Sequence, residues 1–447
     1  VVCAWLSFGS GAFAQSEEST TPSPVESPAP EPDASPLPDS TPTEPRDLGA
    51  EIDALRSEVE RLRETVEQDV ETGDSEPRRT GLRSADLSAR APGRTRFGGV
   101  GTAGAVLAEK EHAQFVVPRP ALFLFAPVGD RVSFGGEVSL LGGGADLVDA
   151  DRGMPGRGDV FLQYGAVDLV LVPELLVLRG GLVAVPVGRT NLLSDESVED
   201  LLIRPAHALY VVPTPWSDVG GGILGGAYLG RTRVEWQGYV LSGPSAGIDA
   251  RTGLRSSRQA PGSDRNSDKA LAGRVLVEPV RGLEVGLSGY TGAYSPGGRG
   301  RLALGAVDLG FDAGPILLES EAVYARTDGG IGSLGLPIPK TLYGGSSRIT
   351  WRFLPEFLGA VLPPALQGSS IGVSVRYSFV DTDADDPDET PGATDPNAYT
   401  RRDRLSVGLA LRPVPRCVLR AEYEYRTEAA SDLVEDDRAV LSASAAF

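Results

Sequence analysis

Arg438-Ala-Val-Leu-Ser-Ala-Ser-Ala-Ala-Phe447 is the stretch from which the rest of the chain can be interpreted. Arg438, Val440, Ser442, Ser444 and Ala446 fall on one face of a strand, and Ala439, Leu441, Ala443, Ala445 and Phe447 fall on the other, because side chains alternate with a period of two. One face is mostly polar and the other apolar. Ile371-Gly-Val-Ser-Val-Arg-Tyr-Ser-Phe379 repeats the pattern with Ser374, Arg376 and Ser378 opposite Val373, Val375, Tyr377 and Phe379. Arg348, Thr350 and Arg352 interleave with Ile349, Trp351 and Phe353 in the same way.

Working upstream, the same alternation predicts strands near 96–108, 115–126, 131–141, 159–172, 175–187, 220–229, 232–242, 269–279, 282–294, 300–312, 316–326, 344–354, 369–380, 403–412, 416–427 and 437–447. That is an even number, sixteen. Short Gly- and Pro-containing turns such as Gly230-Arg231 and Ala313-Gly-Pro315 alternate with long connections such as 142–158, 188–219, 243–268 and 381–402. The stretch 355–368 departs from this rhythm: a short turn is expected and a longer Pro- and Leu-containing segment is found. The 438–447 strand resembles the closing strand of bacterial outer-membrane β-barrels. That resemblance, with the polar-in and apolar-out pattern, predicts an all-β fold over 95–447, a 16-stranded antiparallel transmembrane barrel. It also implies outer-membrane lipid and lipopolysaccharide as surroundings.

The 447 residues carry 61 Asp+Glu against 42 Lys+Arg, which argues against a nucleic-acid partner because a phosphate-binding face needs excess basic charge. No uninterrupted apolar run reaches the roughly 18 residues that a spanning helix requires. Ala166 to Val187 comes nearest and is broken by Asp168, Pro173, Glu174 and Arg179.

Residues 1–14 read as the rear part of a secretory signal peptide, with Ala12-Phe13-Ala14 before the expected cleavage point. If Cys3 leaves with it, Cys417 is the one remaining cysteine and no intramolecular disulfide can form. Residues 15–46 are rich in Pro, Ser, Thr and Glu and are expected to be a disordered tether. From 47 to 70, Leu48, Ile52, Leu55, Val59, Leu62 and Val66 recur at alternating four- and three-residue steps, a coiled-coil heptad, followed by a polar linker at 71–94. Packing rules for such a seam favour a dimer, whereas barrels of this kind are usually trimers; a homotrimer is the expectation. The N-terminal segment would then lie in the periplasm, where peptidoglycan or a partner protein is the alternative focus of function, with the barrel as its anchor.

Val185-Pro-Val-Gly-Arg189, Asn191-Leu-Leu193, Arg204-Pro205 and Val212-Pro-Thr-Pro-Trp-Ser-Asp-Val-Gly220 resemble a segment of bacterial porins related to the phosphate-selective O/P type. The resemblance implies that the third external loop folds into the barrel and narrows the channel. Carried onto this chain, Asp195, Glu196, Glu199 and Asp200 would form an acidic constriction facing the wall arginines Arg179, Arg233, Arg348 and Arg376. The function implied is passive diffusion of small hydrophilic solutes and ions, without chemistry and without a cofactor. Phosphate selectivity is not supported, since the chain has three lysines, Lys110, Lys269 and Lys340, and paired charges such as Arg233 with Glu235 dilute any positive column. Weak cation preference or low selectivity is expected instead.

Enzyme signals fail on inspection. Gly220-Gly-Gly-Ile-Leu-Gly225 has a dinucleotide-loop spacing without a strand–turn–helix context. His112 and His207 are the two histidines and lie far apart in sequence, which disfavours a metal site or a serine triad. Asp381-Thr-Asp-Ala-Asp-Asp-Pro-Asp-Glu389 has Asp386 where a helix–loop–helix calcium site needs Gly, so it reads as a solvated external loop.

Overall fold

Alternation of side-chain class makes each segment two-faced, and a two-faced strand is satisfied by pairing on both edges and burying one face. In the computed structural model this is carried through to ring closure. The structure describes residues 95–447 apart from 109–112, 118–119, 142–158, 194–198, 260–267, 296–299, 334, 356–362, 364–365, 367, 386–399, 415 and 429–435. The tether and coiled coil expected over 15–70, and the irregular part of 355–368, fall outside the described residues.

The strands are β1 (Arg96–Ala108), β2 (Gln114–Val116), β3 (Ala121–Pro127), β4 (Val132–Leu141), β5 (Asp159–Val172), β6 (Leu176–Ala184), β7 (Ser217–Leu229), β8 (Thr232–Leu241) and β9 (Ala270–Val280). They continue as β10 (Leu283–Ala293), β11 (Arg301–Ala313), β12 (Ile316–Thr327), β13 (Thr341–Phe353), β14 (Ser370–Asp381), β15 (Arg401–Val414), β16 (Cys417–Glu428) and β17 (Arg438–Ala446). Two short helices, α1 (Arg189–Leu193) and α2 (His207–Tyr210), lie between β6 and β7.

Strands β2 and β3 both pair with β1, through Gly104↔Val116 and Val100↔Ala121, so they are two pieces of one stave. The break contains Pro120, which cannot donate to a ladder. Seventeen pieces therefore make sixteen staves, all antiparallel, and β1 pairs with β17 from Val100↔Ala446 to Ala108↔Arg438 to close the ring. The expected strand boundaries agree with the observed ones to within a few residues at nearly every element. The 175–187 strand is cut short at Ala184, where the chain turns inward, and the strand after it starts at Ser217, three residues before the expected 220.

In the later strands inward positions are buried in alternation, as in β15, where Arg402, Arg404, Ser406, Ala410 and Arg412 are buried and Leu405, Val407, Leu409 and Leu411 are exposed. In the final strand Arg438, Val440, Ser442 and Ser444 are buried and Leu441 is 54% exposed, the assignment expected from the sequence.

The tight turns at one end of the barrel depend on residues in the left-handed region. Gly282 has φ +88° and Gly314 φ +69°. A Cβ on Gly282 would lie 2.4 Å from the Asp312 carbonyl oxygen, whereas one on Gly314 would meet nothing within 4 Å. Gly314→Ala is expected to cost about 1 kcal/mol from backbone strain alone, and Gly282→Ala on the order of 2 kcal/mol or more because contact is added to strain. Urea unfolding followed by tryptophan fluorescence separates the two; equal costs would mean the close approach relaxes freely.

Candidate functional site: the 185–216 connection

Val185-Pro-Val-Gly188 carries the chain out of β6 and inward, and Asn191 fastens both ends of the excursion. Its Nδ2 donates to the Val185 carbonyl (2.8 Å) and the Trp216 carbonyl (3.0 Å), while its Oδ1 accepts from the Trp216 amide (2.7 Å). Asn191 is fully buried. Arg204 Nη1 donates to the Thr214 carbonyl at 2.6 Å, bracing the return limb. The connection therefore has its own scaffold before it meets the wall.

The wall it meets is divided by charge. Toward β10 and β12, Arg189 bonds Glu284 and, at 3.2 Å, Glu319; the Thr190 amide donates to Glu321 Oε2 (2.7 Å), and the Gly188 amide to Ser288 Oγ (3.0 Å). Toward β13–β16 arginines predominate, with Glu422 among them. Arg348 bonds both Glu199 and Glu319, and Asp200 accepts from Arg352 (2.9 Å) and Arg412 (2.7 Å). Arg376 Nη1 donates to the Ile203 carbonyl (2.6 Å), Arg420 Nε to the Glu199 carbonyl (2.8 Å), and Glu422 accepts the Leu202 and Ile203 amides (2.7 and 3.1 Å).

Apolar packing accompanies these bonds. Val185, Val187, Leu209, Tyr210, Val211 and Trp216 join a buried cluster with inward residues such as Tyr290, Leu304, Val323 and Leu342, and with Ile248 and Leu254 of the next long connection. The rings of Trp216 and Tyr290 lie 4.7 Å apart, centroid to centroid. On the far side Leu202 and Ile203 pack with Val106, Val116 and Val440. The Arg402 guanidinium stacks 4.4 Å from the centre of the Tyr210 ring. Burial pushes the Tyr210 phenol up, but the field of Arg402, Arg404, Arg426 and Arg255 more than offsets it, so the phenol sits below its ordinary value.

Of the residues expected to form the site, Glu199 and Asp200 are held against wall arginines, while Asp195 and Glu196 lie outside the described residues. Arg348 and Arg376 face the connection. Arg179 and Arg233 also point inward but bond wall carboxylates: Arg179 grips Asp168 at 2.6 and 2.7 Å, and Arg233 bonds Glu235 and Glu278. Arg189, Arg352, Arg412, Arg420, Glu319, Glu321 and Glu422 also hold the connection and were not singled out from the sequence. Each falls at an inward parity position or in the motif, so alternation could flag it as lumen-facing. A cavity of about 390 Å³ opens between Arg189, Glu284 and the turn-end residues Arg281 and Asp312.

No family model matches the chain. A stretch of 136 residues is 28% identical to an uncharacterized protein of Aquifex aeolicus (strain VF5), covering 30% of this chain and 30% of that protein's length. Among solved structures, the chain is similar to the trimer form of OmpT of Vibrio cholerae (12% identity, 79% of this chain and 99% of that one, TM-score 0.44). It is also similar to an anion-selective porin from Comamonas acidovorans (11%, 79% and 99%, TM-score 0.46) and to the outer-membrane channel DcaP of Acinetobacter baumannii (13%, 79% and 97%, TM-score 0.45).

Asp200 is 1% exposed and shared by two guanidiniums, so Asp200→Ala is expected to cost about 3–5 kcal/mol by leaving buried charge uncompensated. Arg401→Ala removes an exposed pair with Asp403 at 3.6 Å and is expected to cost about 1 kcal/mol or less. Denaturation midpoints of the two variants check the contrast.

Proposed function

We propose that this protein is an outer-membrane porin, a passive channel for small hydrophilic solutes and ions, narrowed by the infolded 185–216 connection. The observation that carries the proposal is the inversion of the two barrel faces. The outward face exposes Leu178, Ile223, Leu287, Val307, Ile349 and Val375, while the inward face buries arginines, carboxylates and hydroxyls. A barrel in water would bury the first set; only an apolar surrounding makes this arrangement favourable. Aromatic rings flank the apolar band, with Tyr324, Tyr343 and Phe379 toward the long connections and Phe97, Trp351, Phe353 and Phe447 toward the turns. Such girdles suit the two membrane–water interfaces.

Sixteen staves are enough to enclose an aqueous lumen. Filtering would come from charge and size: the carboxylates on β10 and β12 lie on staves that continue round the ring into the arginine-bearing β13–β16, so a dipolar solute passing the connection would meet both signs of charge. Because Glu199 and Asp200 are bonded to arginines, the field is balanced more than acidic, which supports low selectivity over phosphate selectivity. The coarse likeness to porins, one of them a trimer form, is compatible with a homotrimer. The N-terminal heptads would then extend into the periplasm, and deletion of 15–90 separates the channel from the anchor alternative, since a channel keeps its conductance.

Reconstitution in planar bilayers is expected to give stepwise openings in threes with a reversal potential close to zero or slightly cation-favouring under a salt gradient. Correctly folded protein that never opens would refute the channel. Val375→Arg, on the outward face, is expected to lower barrel stability in vesicles by about 2–4 kcal/mol; no loss would argue against a lipid-facing surface there.

A further inference from the structure

The cavity at the turn end of β8–β12 holds about 390 Å³, within the roughly 300–1,000 Å³ of small-molecule sites. Its charged lining falls into two classes. Arg189 is engaged by Glu284 and Glu319, and Arg233 by Glu235 and Glu278. Glu278 also accepts the Gly282 amide at 3.0 Å. These groups answer one another. Arg281 and Asp312 are different: both are exposed, and among the described residues neither side chain makes an ion pair or a hydrogen bond.

The backbone brings this unpaired couple to neighbouring staves. Arg281 sits in the turn between β9 and β10, and Asp312 continues the inward series of β11 that runs from Leu302 to Gly310. The Asp312 amide donates to the Gly282 carbonyl at 2.7 Å, one residue from Arg281. That approach depends on Gly282, whose Cβ, if it had one, would lie 2.4 Å from the Asp312 carbonyl oxygen. Toward α1 the cavity is bounded by Arg189. A Cβ on Gly310 would lie 2.7 Å from Arg189 Nη1, so glycine at that position lets the guanidinium lie against β11. Leu317 adds an apolar side.

We propose that this cavity is a binding subsite of the lumen for small zwitterions, solutes of the amino acid or dipeptide class, with Arg281 taking the carboxylate and Asp312 the ammonium. The inference deepens the channel reading above and rests on it for the route by which solute arrives. Arg189, Arg233 and Arg281 are balanced by Glu278, Glu284 and Asp312, so the lining carries no net charge with which to concentrate a simple anion or cation. A guanidinium is complementary to a carboxylate and a carboxylate to an ammonium. A solute with one charge satisfies one of the two free groups, and a zwitterion satisfies both. Because both groups are exposed, each contact is weak, which suits a channel that must also release what it binds.

Equilibrium dialysis of the full-length protein in detergent against radiolabelled glycylglycine, acetate or ethylamine tests the proposal without requiring conductance. Glycylglycine is expected to bind on the order of tenfold more tightly than either singly charged probe, the gain from one further charged hydrogen bond. Arg281→Gln and Asp312→Asn should each weaken glycylglycine binding by a similar factor. Arg401→Gln, at an exposed arginine outside the cavity, should bind as the wild type does. In planar bilayers, glycylglycine added on the turn side should interrupt the current in proportion to its concentration, and both cavity variants should shorten the interruptions. Glycylglycine bound no better than acetate and ethylamine, or bound equally by wild type, Arg281→Gln and Asp312→Asn, overturns the inference and leaves an open channel standing. Protein that never opens but retains glycylglycine through Arg281 and Asp312 refutes the channel and upholds the site.

Discussion

A strand paired on both sides has no free edge, and the pairing of β1 with β17 is the constraint on which the rest of this structure depends. Once the ring is closed, backbone polarity is consumed along the staves and each side chain has two destinations, outside or inside. The outside takes the apolar residues. The inside must therefore accept Arg348, Arg376, Arg404, Arg426, Glu422 and Glu424, all of them buried, and groups of that kind are tolerated only with partners. Some find them on neighbouring staves, as Arg274 does with Asp308 and Arg426 with Glu424. Others, Arg352 and Arg412 above all, find theirs on the infolded connection.

That division explains why the connection has mixed charge. Arg189 and His207 serve a wall rich in carboxylates, and Glu199 and Asp200 serve one rich in arginines, so the segment is the complement of the lumen in miniature. A uniformly acidic segment would meet Glu284, Glu319 and Glu321 as like charges. Glu319 shows how close the two halves come, since it bonds Arg189 of the connection and Arg348 of the wall at once.

Most of the barrel was legible in the sequence because periodicity is a local property. The alternation in 371–379 and 438–447 places each residue inside or outside without knowledge of its neighbours. The partners of the connection were not legible for the opposite reason: Asp200 meets Arg412 and Leu202 meets Glu422 across more than two hundred residues, and no spacing rule links them. Arg179 and Arg233 illustrate the limit from the other side. The resemblance set them opposite the acidic segment, but Asp168 and Glu235, a cross-strand neighbour and a same-face neighbour, reach them first. The broken second stave was likewise read as one continuous strand at 115–126, because an interruption around Pro120 leaves the alternation on either side intact.

The attachments of the connection differ in what can loosen them. Asn191 and the apolar cluster around Trp216 and Leu209 are uncharged, and burial of this kind is indifferent to pH and little weakened by salt. The bonds to Glu321, Arg348, Arg352 and Arg412 are ionic and carry the directionality. The ionic bonds therefore fix the segment's direction against the wall, and packing fixes its base. Expelling the segment would expose Val185, Val187, Leu209 and Val212 to water together and remove Asp200 from Arg352 and Arg412.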